Sequence, residues 1–278
     1  MAGQSHNSNS MSPFAAFLHK AVKNNKNPKI IAIIPARLQS SRFPEKSLSL
    51  IAGKSLIQRT YDSALKCTLL EDIYIATDSE KIFSHVHGFG GKALMTSPTC
   101  KNGTERIIEA IDKYNLQGDI IVNIQGDNPC ISKETIDKTI QSLQVDPKAQ
   151  TSTACALIKN SEELFSPHIV KCIFDQDFRA LYFSRSPLPF SKNLDKTFFY
   201  HHIGIYAYRA GFLKLLSQLE ETPLQKAEDL EQLKILEHGY RIKVAVVKEV
   251  PLGVDVPDDI LKVEKFLCQS NTSLLPEA

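Results

Sequence analysis

Three cations stand close together in the segment KIIAIIPARLQSSRFPEKSL (29–48): Arg37, Arg42 and Lys46. Guanidinium forks and an ammonium among small polar residues form a natural cradle for phosphates, with loop amides as further donors. The same residues also suit a solvated connection between two elements. Two carboxylates extend the candidate site. Asp127 follows Gln125 and Gly126 after an apolar run, and Asp255 lies between Gly253 and Pro257. Turned toward one loop, they make a hard-oxygen pair suited to Mg²⁺, which typically takes one or two carboxylates plus substrate phosphates. Each also has a plainer reading, Asp127 as a turn residue or cap and Asp255 as a helix cap. Gly103, Thr104, Glu105 and Arg106 open a helix, where Thr104 and the amides can meet a nucleotide or simply cap the helix. Arg185, after the apolar run LYFS, is a candidate clamp for a carboxylate or a surface residue at a strand end. His201 and His202 alternate faces in a strand-like run and cannot both chelate one ion.

Several elements must position these groups. Ile30–Ile34 is short, β-branched and closed by Pro35, which predicts a central parallel strand ending there. The cations then leave its carboxyl end, where open α/β sheets hold their ligands. Leu56, Ile57, Tyr61, Ala64 and Leu65 recur at helical spacing after Gly53. DIYIAT (72–77) predicts a second strand, with Asp78 or Ser79 capping a helix over 80–87. A short strand over 93–96 and an amphipathic helix from Gly103 follow, then a buried strand, 120–124, and a helix opened by Ser132. Strand–helix alternation of this kind gives a mostly parallel sheet covered on both faces. From Thr151 the pattern changes to strands without full crossovers, at 153–158, 169–174, 180–183 and 202–208. This predicts a mixed, partly antiparallel extension. Helices over 211–219 and 227–237, a strand over 242–247 and a helix over 260–267 close the chain.

Composition narrows the classes. The chain has 278 residues, enough for one large domain or two modest ones. No apolar run approaches the roughly 20 residues of a membrane-spanning helix. A net charge of +2 is too small for bulk nucleic-acid binding, so an anion site must be a local cluster. The six cysteines form no C-x-x-C pair, and several sit in apolar runs, which predicts buried free thiols in a reducing cytoplasm. Residues 1–27 read as a poorly ordered tail, 28–270 as one catalytic domain with a subdomain inserted around 151–210, and 271–278 as a C-terminal tail.

In order along the chain, IIPARLQSSRFPEKSL (33–48), ATDSE (76–80), NGTERI (102–107), VNIQGDNP (122–129), ALYFSRSPLP (180–189), HIGIYAYR (202–209), LEQLKILEHG (230–239) and GVDVPDDI (253–260) form a recognisable series. The sequence resembles the cytidylyltransferases that activate 3-deoxy-manno-octulosonate (Kdo) to CMP-Kdo, across about residues 29–267. The opening motif is shared by nucleotide-sugar synthetases at large. YFSR followed by H-x-G-I-Y and LEQL is far more specific to the Kdo branch.

The resemblance implies a Rossmann-like three-layer α/β nucleotidyltransferase fold, with a mostly parallel central sheet and a mixed or antiparallel extension. It implies CTP over the opening loop, with Arg37 and Lys46 on its phosphates, and Mg²⁺ on Asp127 and Asp255. Thr104, Arg106 and Gln125 would lie near the nucleotide. Arg185, His202, Tyr206, Glu231 and Gln232 would line the sugar-acid pocket, Arg185 suiting the carboxylate and Glu231 and Gln232 the hydroxyls. The anomeric hydroxyl of Kdo would attack the α-phosphorus and pyrophosphate would leave, providing CMP-Kdo for lipopolysaccharide synthesis. A homodimer is implied, with the mixed-sheet region near its interface. Three residues depart from the family pattern: Asn128 stands where Glu is common, Glu45 where Gly is usual, and His201 where Arg is common. Another acidic sugar, such as an amino variant of Kdo or a sialic acid, is the nearest alternative substrate. A non-catalytic nucleotide-binding protein on the same scaffold is the alternative of a different class.

Overall fold

The first strand, β1 (Ile30–Ala36), forms the middle of the molecule, buried nearly along its whole length. The computed structural model describes residues 28–39 and 43–272. The tail assigned to 1–27, Arg42 and the last residues, 273–278, lie outside the described residues. Flanking β1 in parallel are β4 (Asp72–Thr77) on one side and β6 (Ile120–Asn123) on the other. Next to β4 lies β5 (Ala93–Met95), also parallel. The chain therefore builds outward from β1 to β5 and crosses back to place β6 on the other side of β1. That reversal is a topological switch point, the crevice in which open α/β sheets bind ligands.

Beyond β6 the sheet becomes mixed, as predicted. β10 (Tyr200–Arg209) runs antiparallel between β6 and β7 (Thr151–Leu157), and β11 (Ile242–Val247) pairs parallel with β7 at the edge. β8 (Lys171–Phe174) joins β10 through one pair, His201–Lys171, and runs antiparallel with β9 (Ala180–Ser184). The strands of 151–210 thus extend the same sheet. Apolar residues fill both of its faces. One core holds Ile30, Ile34, Ile75 and Ile140, and the other holds Ile31, Ile33, Ile107 and Phe183. A third, smaller core of Ile51, Leu56, Val254 and Val263 lies under the segment that carries Asp255.

Three predicted boundaries change, each for a local reason. Strand β1 continues through Pro35 instead of stopping there. Ile33 O accepts from Ile124 N on the β6 side, so Pro35, two residues on, turns its nitrogen the same way. The last β1–β6 pair is Ile33–Asn123, so no ladder bond is lost at Pro35. The single helix predicted over 227–237 is two, α7 (Pro223–Glu228) and α8 (Glu231–Glu237), separated by Asp229 in the left-handed region at φ 52°. Glu228 explains the break: its carboxylate accepts from Ser184 Oγ and Arg185 N, and its carbonyl accepts from Arg185 Nε. The closing helix, α9 (Asp259–Thr272), runs past 267 into the segment assigned to the tail. A hairpin missed in the sequence, β2 (Leu50–Ile51) with β3 (Lys54–Ser55), turns on Ala52 and Gly53, both at positive φ. It leads into α1 (Leu56–Ala64), which Ser55 caps through Gln58 N.

Candidate active site

Two segments bring acidic groups to the carboxyl end of β1. The first is the Gln125–Gly126–Asp127 turn leaving β6. A Cβ on Gly126 would stand 2.9 Å from Pro35 O, so only glycine lets this turn approach β1 so closely. Side chains of α1 hold the turn from below: Thr60 Oγ1 donates to Gly126 O and Ser63 Oγ to Pro129 O. The second segment, 253–255, is anchored by Val254. Its side chain is buried in the third core, and its N–H donates to Asp127 O at 2.9 Å. The capping role at the start of α9 falls to Asp259, whose carboxylate accepts from Asp255 N and Val256 N. The Asp255 carboxylate instead faces Lys46.

Lys46 begins a 3₁₀ turn, Lys46–Leu48, immediately after Glu45. Its Nζ donates to Val254 O at 2.8 Å and Asp127 Oδ2 at 3.0 Å, and stands 3.6 Å from Asp255 Oδ1. Both carboxylates therefore lie within reach of one cation. Glu45 holds φ 53° and ψ 23°, a left-handed conformation in which glycine is relaxed and other residues cost about 1–2 kcal/mol. The glycine that the resemblance leads one to expect at this position would adopt this backbone conformation without strain. The Glu45 carboxylate turns to Lys81 of α2 (Glu80–Gly88), at 2.5 Å.

Lys46, Asp127 and Asp255 line a cavity of about 340 Å³ together with Arg37, Gln125 and Arg106. Arg37 is exposed at its mouth. Arg106 forms buried wall: its guanidinium donates to Asp78 at 2.7 Å, Thr96 Oγ1 at 2.6 Å and Ser97 O at 3.4 Å. Its charge is compensated by Asp78, so its first role is to fix α3 (Gly103–Tyr114) to the ends of β4 and β5. Lys101 and Asn102, which the sequence reading passed over, also line this cavity. Asn102 caps α3, accepting from Glu105 N at 2.8 Å.

A second cavity, of about 60 Å³, opens on the other side of the same helix start. Thr104, Tyr206, Tyr208, Glu231 and Gln232 line it, and Asn102 lines both cavities. Thr104, expected at the nucleotide, faces this second cavity and donates to Glu231 Oε2 at 2.9 Å. Helical period accounts for that, since Gly103 and Arg106 share one face of α3 while Thr104 and Ile108 share another. Burial raises the Glu231 carboxyl above its ordinary value, and hydrogen bonds from Thr104 and Asn102 partly offset this. Burial likewise raises the Tyr206 phenol well above the usual range. Gln232 is 5% exposed, and its Nε2 has no acceptor among the described residues.

His202 and Arg185 line neither cavity. His202 is buried behind Tyr206, hydrogen-bonded through Nε2 to Thr153 Oγ1 at 2.9 Å and set edge-on to Phe183. Desolvation pushes its pKa down to about 3, so it is a neutral imidazole at physiological pH. Arg185 donates to the carbonyls of Glu228, Pro167 and Asp229, bracing the break between α7 and α8 instead of presenting an open clamp. Lys171, fully buried, donates to the carbonyls of Ser166, Ile169 and Arg185, and desolvation lowers its pKa. Of the other departures, Asn128 places Oδ1 3.2 Å from where a Cβ on Gly253 would lie, packing the 127–128 turn on the 253–255 segment. His201 is held below its ordinary pKa by burial.

Comparison with known proteins agrees with this geometry. The cytidylyltransferase family model matches residues 31–243. A protein named 3-deoxy-manno-octulosonate cytidylyltransferase from Protochlamydia amoebophila is 48% identical over 251 residues, covering 88% of this chain and 97% of that protein. One of the same name from Chlamydia pneumoniae is 50% identical over 242 residues, covering 87% and 95%. Among solved structures, CMP:2-keto-3-deoxy-manno-octonic acid synthetase complexed with CTP superposes with a TM-score of 0.83 at 38% identity. That match covers 87% of this chain and 99% of the other. A 4-diphosphocytidyl-2C-methyl-D-erythritol synthase from Anaerococcus prevotii, at 17% identity and a TM-score of 0.59, shares the fold.

Proposed function

The chain belongs to the cytidylyltransferase family, in its 3-deoxy-manno-octulosonate branch, and from that premise we propose how its two cavities divide the reaction. The enzyme transfers a cytidylyl group from CTP to Kdo, giving CMP-Kdo and pyrophosphate. The observation that carries the division of labour is the placement of the two cavities on either side of the α3 start, meeting at Asn102. The larger holds fixed cations and paired carboxylates, the chemistry of a nucleoside triphosphate. The smaller holds Thr104, Glu231 and Gln232, which suit the hydroxyls of a sugar.

Two carboxylates around one cation fit Mg²⁺, which completes its oxygen shell from substrate phosphates and water. Asp127 and Asp255 would hold it, and when bound it supplies positive charge at the α-phosphate. The remaining work is positioning and electrostatics, which dominate phosphoryl-type transfers. Arg37, with its mobile-length side chain at the cavity mouth, takes phosphate charge. Arg106 and Asp78 keep α3 in place so that Asn102 and Gly103 close the nucleotide cavity. Gln125 lies on the wall of the larger cavity, and a Cβ on Gly204 of β10 would stand 3.7 Å from its Cγ. Glu231, Gln232 and Tyr206 orient the sugar. His202 stays neutral behind Tyr206 and serves as support.

Large apolar side chains exposed on the mixed-sheet segment are what supports a homodimer: Phe190 is 87% exposed, Phe198 71% and Leu181 59%. Free thiols at Cys67, Cys100, Cys130, Cys155 and Cys172 support a reducing cytoplasm as the site of action, and CMP-Kdo formation supports a place in lipopolysaccharide synthesis. Among the described residues no helix is long and apolar enough to cross a membrane. The carboxylate assignment is tested by Asp127→Ala and Asp255→Ala at saturating CTP. Turnover is expected to vanish in both. Near-normal turnover of either at low Mg²⁺ removes that residue from the metal site.

A further inference from the structure

We propose that Lys46 serves as a resident counter-cation for the carboxylate pair, occupying their shared position in the nucleotide-free enzyme and giving it up only when a triphosphate arrives to receive its ammonium. The inference deepens the Mg²⁺ reading of Asp127 and Asp255 and rests on it.

Lys46 sits low in the cavity. Its side chain is 15% exposed and its Nζ is directed at Val254 O, Asp127 and Asp255 together. Two neighbouring carboxylates repel one another when both are ionised, and a cation between them removes that penalty. The pair is also held by backbone, since Val254 N donates to Asp127 O and Val254 O accepts from Lys46. Lys46 is thereby the charged member of a closed set joining the β6 turn, the 253–255 segment and the 3₁₀ turn.

A divalent ion needs the same oxygens. Its entry into the empty nucleotide cavity must displace an ammonium that has three partners there and no anion to move to. A bound triphosphate changes that balance, offering Lys46 new acceptors as the carboxylates pass to the metal. Metal and nucleotide should therefore bind with positive coupling, and by linkage the coupling is reciprocal. The Lys46 side chain supplies the coupling through one exchange of partners. No movement of the sheet is required.

The test uses the full chain without nucleotide and Mn²⁺ as the probe, followed by electron paramagnetic resonance and titration calorimetry. Wild type is compared with Lys46→Met and with Lys46→Gln, which keeps a donor for Val254 O without the charge. Both variants are expected to bind Mn²⁺ at least tenfold more tightly than wild type. They are also expected to melt at lower temperature without metal and to recover with it. Equal or weaker Mn²⁺ binding by both folded variants, with nucleotide-dependent Mn²⁺ binding intact in wild type, overturns the proposal while leaving the metal reading standing. Absence of Mn²⁺ binding to wild type with CTP present overturns both.

Discussion

Replacing Gln232 by Met separates what this side chain does for the fold from what it does for the substrate. Gln232 is almost fully buried, and its Nε2 lacks an acceptor among the described residues. An unsatisfied buried donor costs about 1–3 kcal/mol. Methionine is similar in length, carries no such donor and adapts to irregular gaps. After some loss of packing, the free enzyme should gain about 1 kcal/mol, or roughly 2–4 °C in melting temperature for a chain of this class. In the complex the sign reverses, because the amide that lacked a partner is the one a sugar hydroxyl would use. Losing that bond should cost about 1–3 kcal/mol, a five- to 150-fold rise in the KM for Kdo. The KM for CTP, whose cavity lies across α3, should stay within about twofold, since separated sites couple weakly. The assays are thermal melting without substrates and steady-state kinetics with each substrate varied. A variant that melts lower than wild type and keeps its KM for Kdo would make Gln232 a packing residue and remove the small cavity from the reaction.

Arg106→Met tests whether Arg106 is wall or ligand. Breaking its buried pair with Asp78 should cost about 3 kcal/mol, lowering the melting temperature by about 6–12 °C; an unchanged melting temperature with a raised KM for CTP would make it a direct nucleotide contact. His202→Gln tests the buried neutral imidazole. Its folded pKa, about 3, lies below the ordinary 6.5, so the unfolded chain binds the extra proton as pH falls through 6.5. Wild type should lose about 1.4 kcal/mol per pH unit below 6.5, until the folded pKa is reached, and the variant should lack that component. Urea midpoints at pH 7, 6 and 5 that fall in parallel for both proteins would contradict it.

Much of the scaffold was legible in the sequence because local signals and tertiary demands agree. The runs at 72–77 and 242–247 are apolar, β-branched and bounded by polar residues, and β4 and β11 match those limits. Ser79 and Ser132 cap helices as their types suggest. Failures arose where a distant group decides. Pro35 stays in β1 because β6 has already left that side, and Glu228 breaks a helix because Ser184 and Arg185 claim it. That Arg37, Lys46, Asp127 and Asp255 meet at one cavity was mostly readable, since they follow motifs at strand ends. Lys46 reaching both carboxylates was not, because no spacing rule links it to Asp127, 81 positions on, or to Asp255, farther still. Around the smaller cavity, residue type did not show that Arg185 and His202 stand outside its lining. Their polar atoms bind protein groups, and only burial and partners reveal it. Thr104 was different: it lies two residues from Arg106 and four from Ile108, a spacing that already separated the two faces of α3.

The most direct test of the central claim is pyrophosphate release by purified protein across a matrix of nucleotides, sugar acids and Mg²⁺. Release should occur with CTP, Kdo and Mg²⁺ together, and fall to background when any one is omitted. Turnover of a different sugar acid with none of Kdo would contradict the assigned substrate. CTP binding without pyrophosphate release from any sugar acid would contradict catalysis itself.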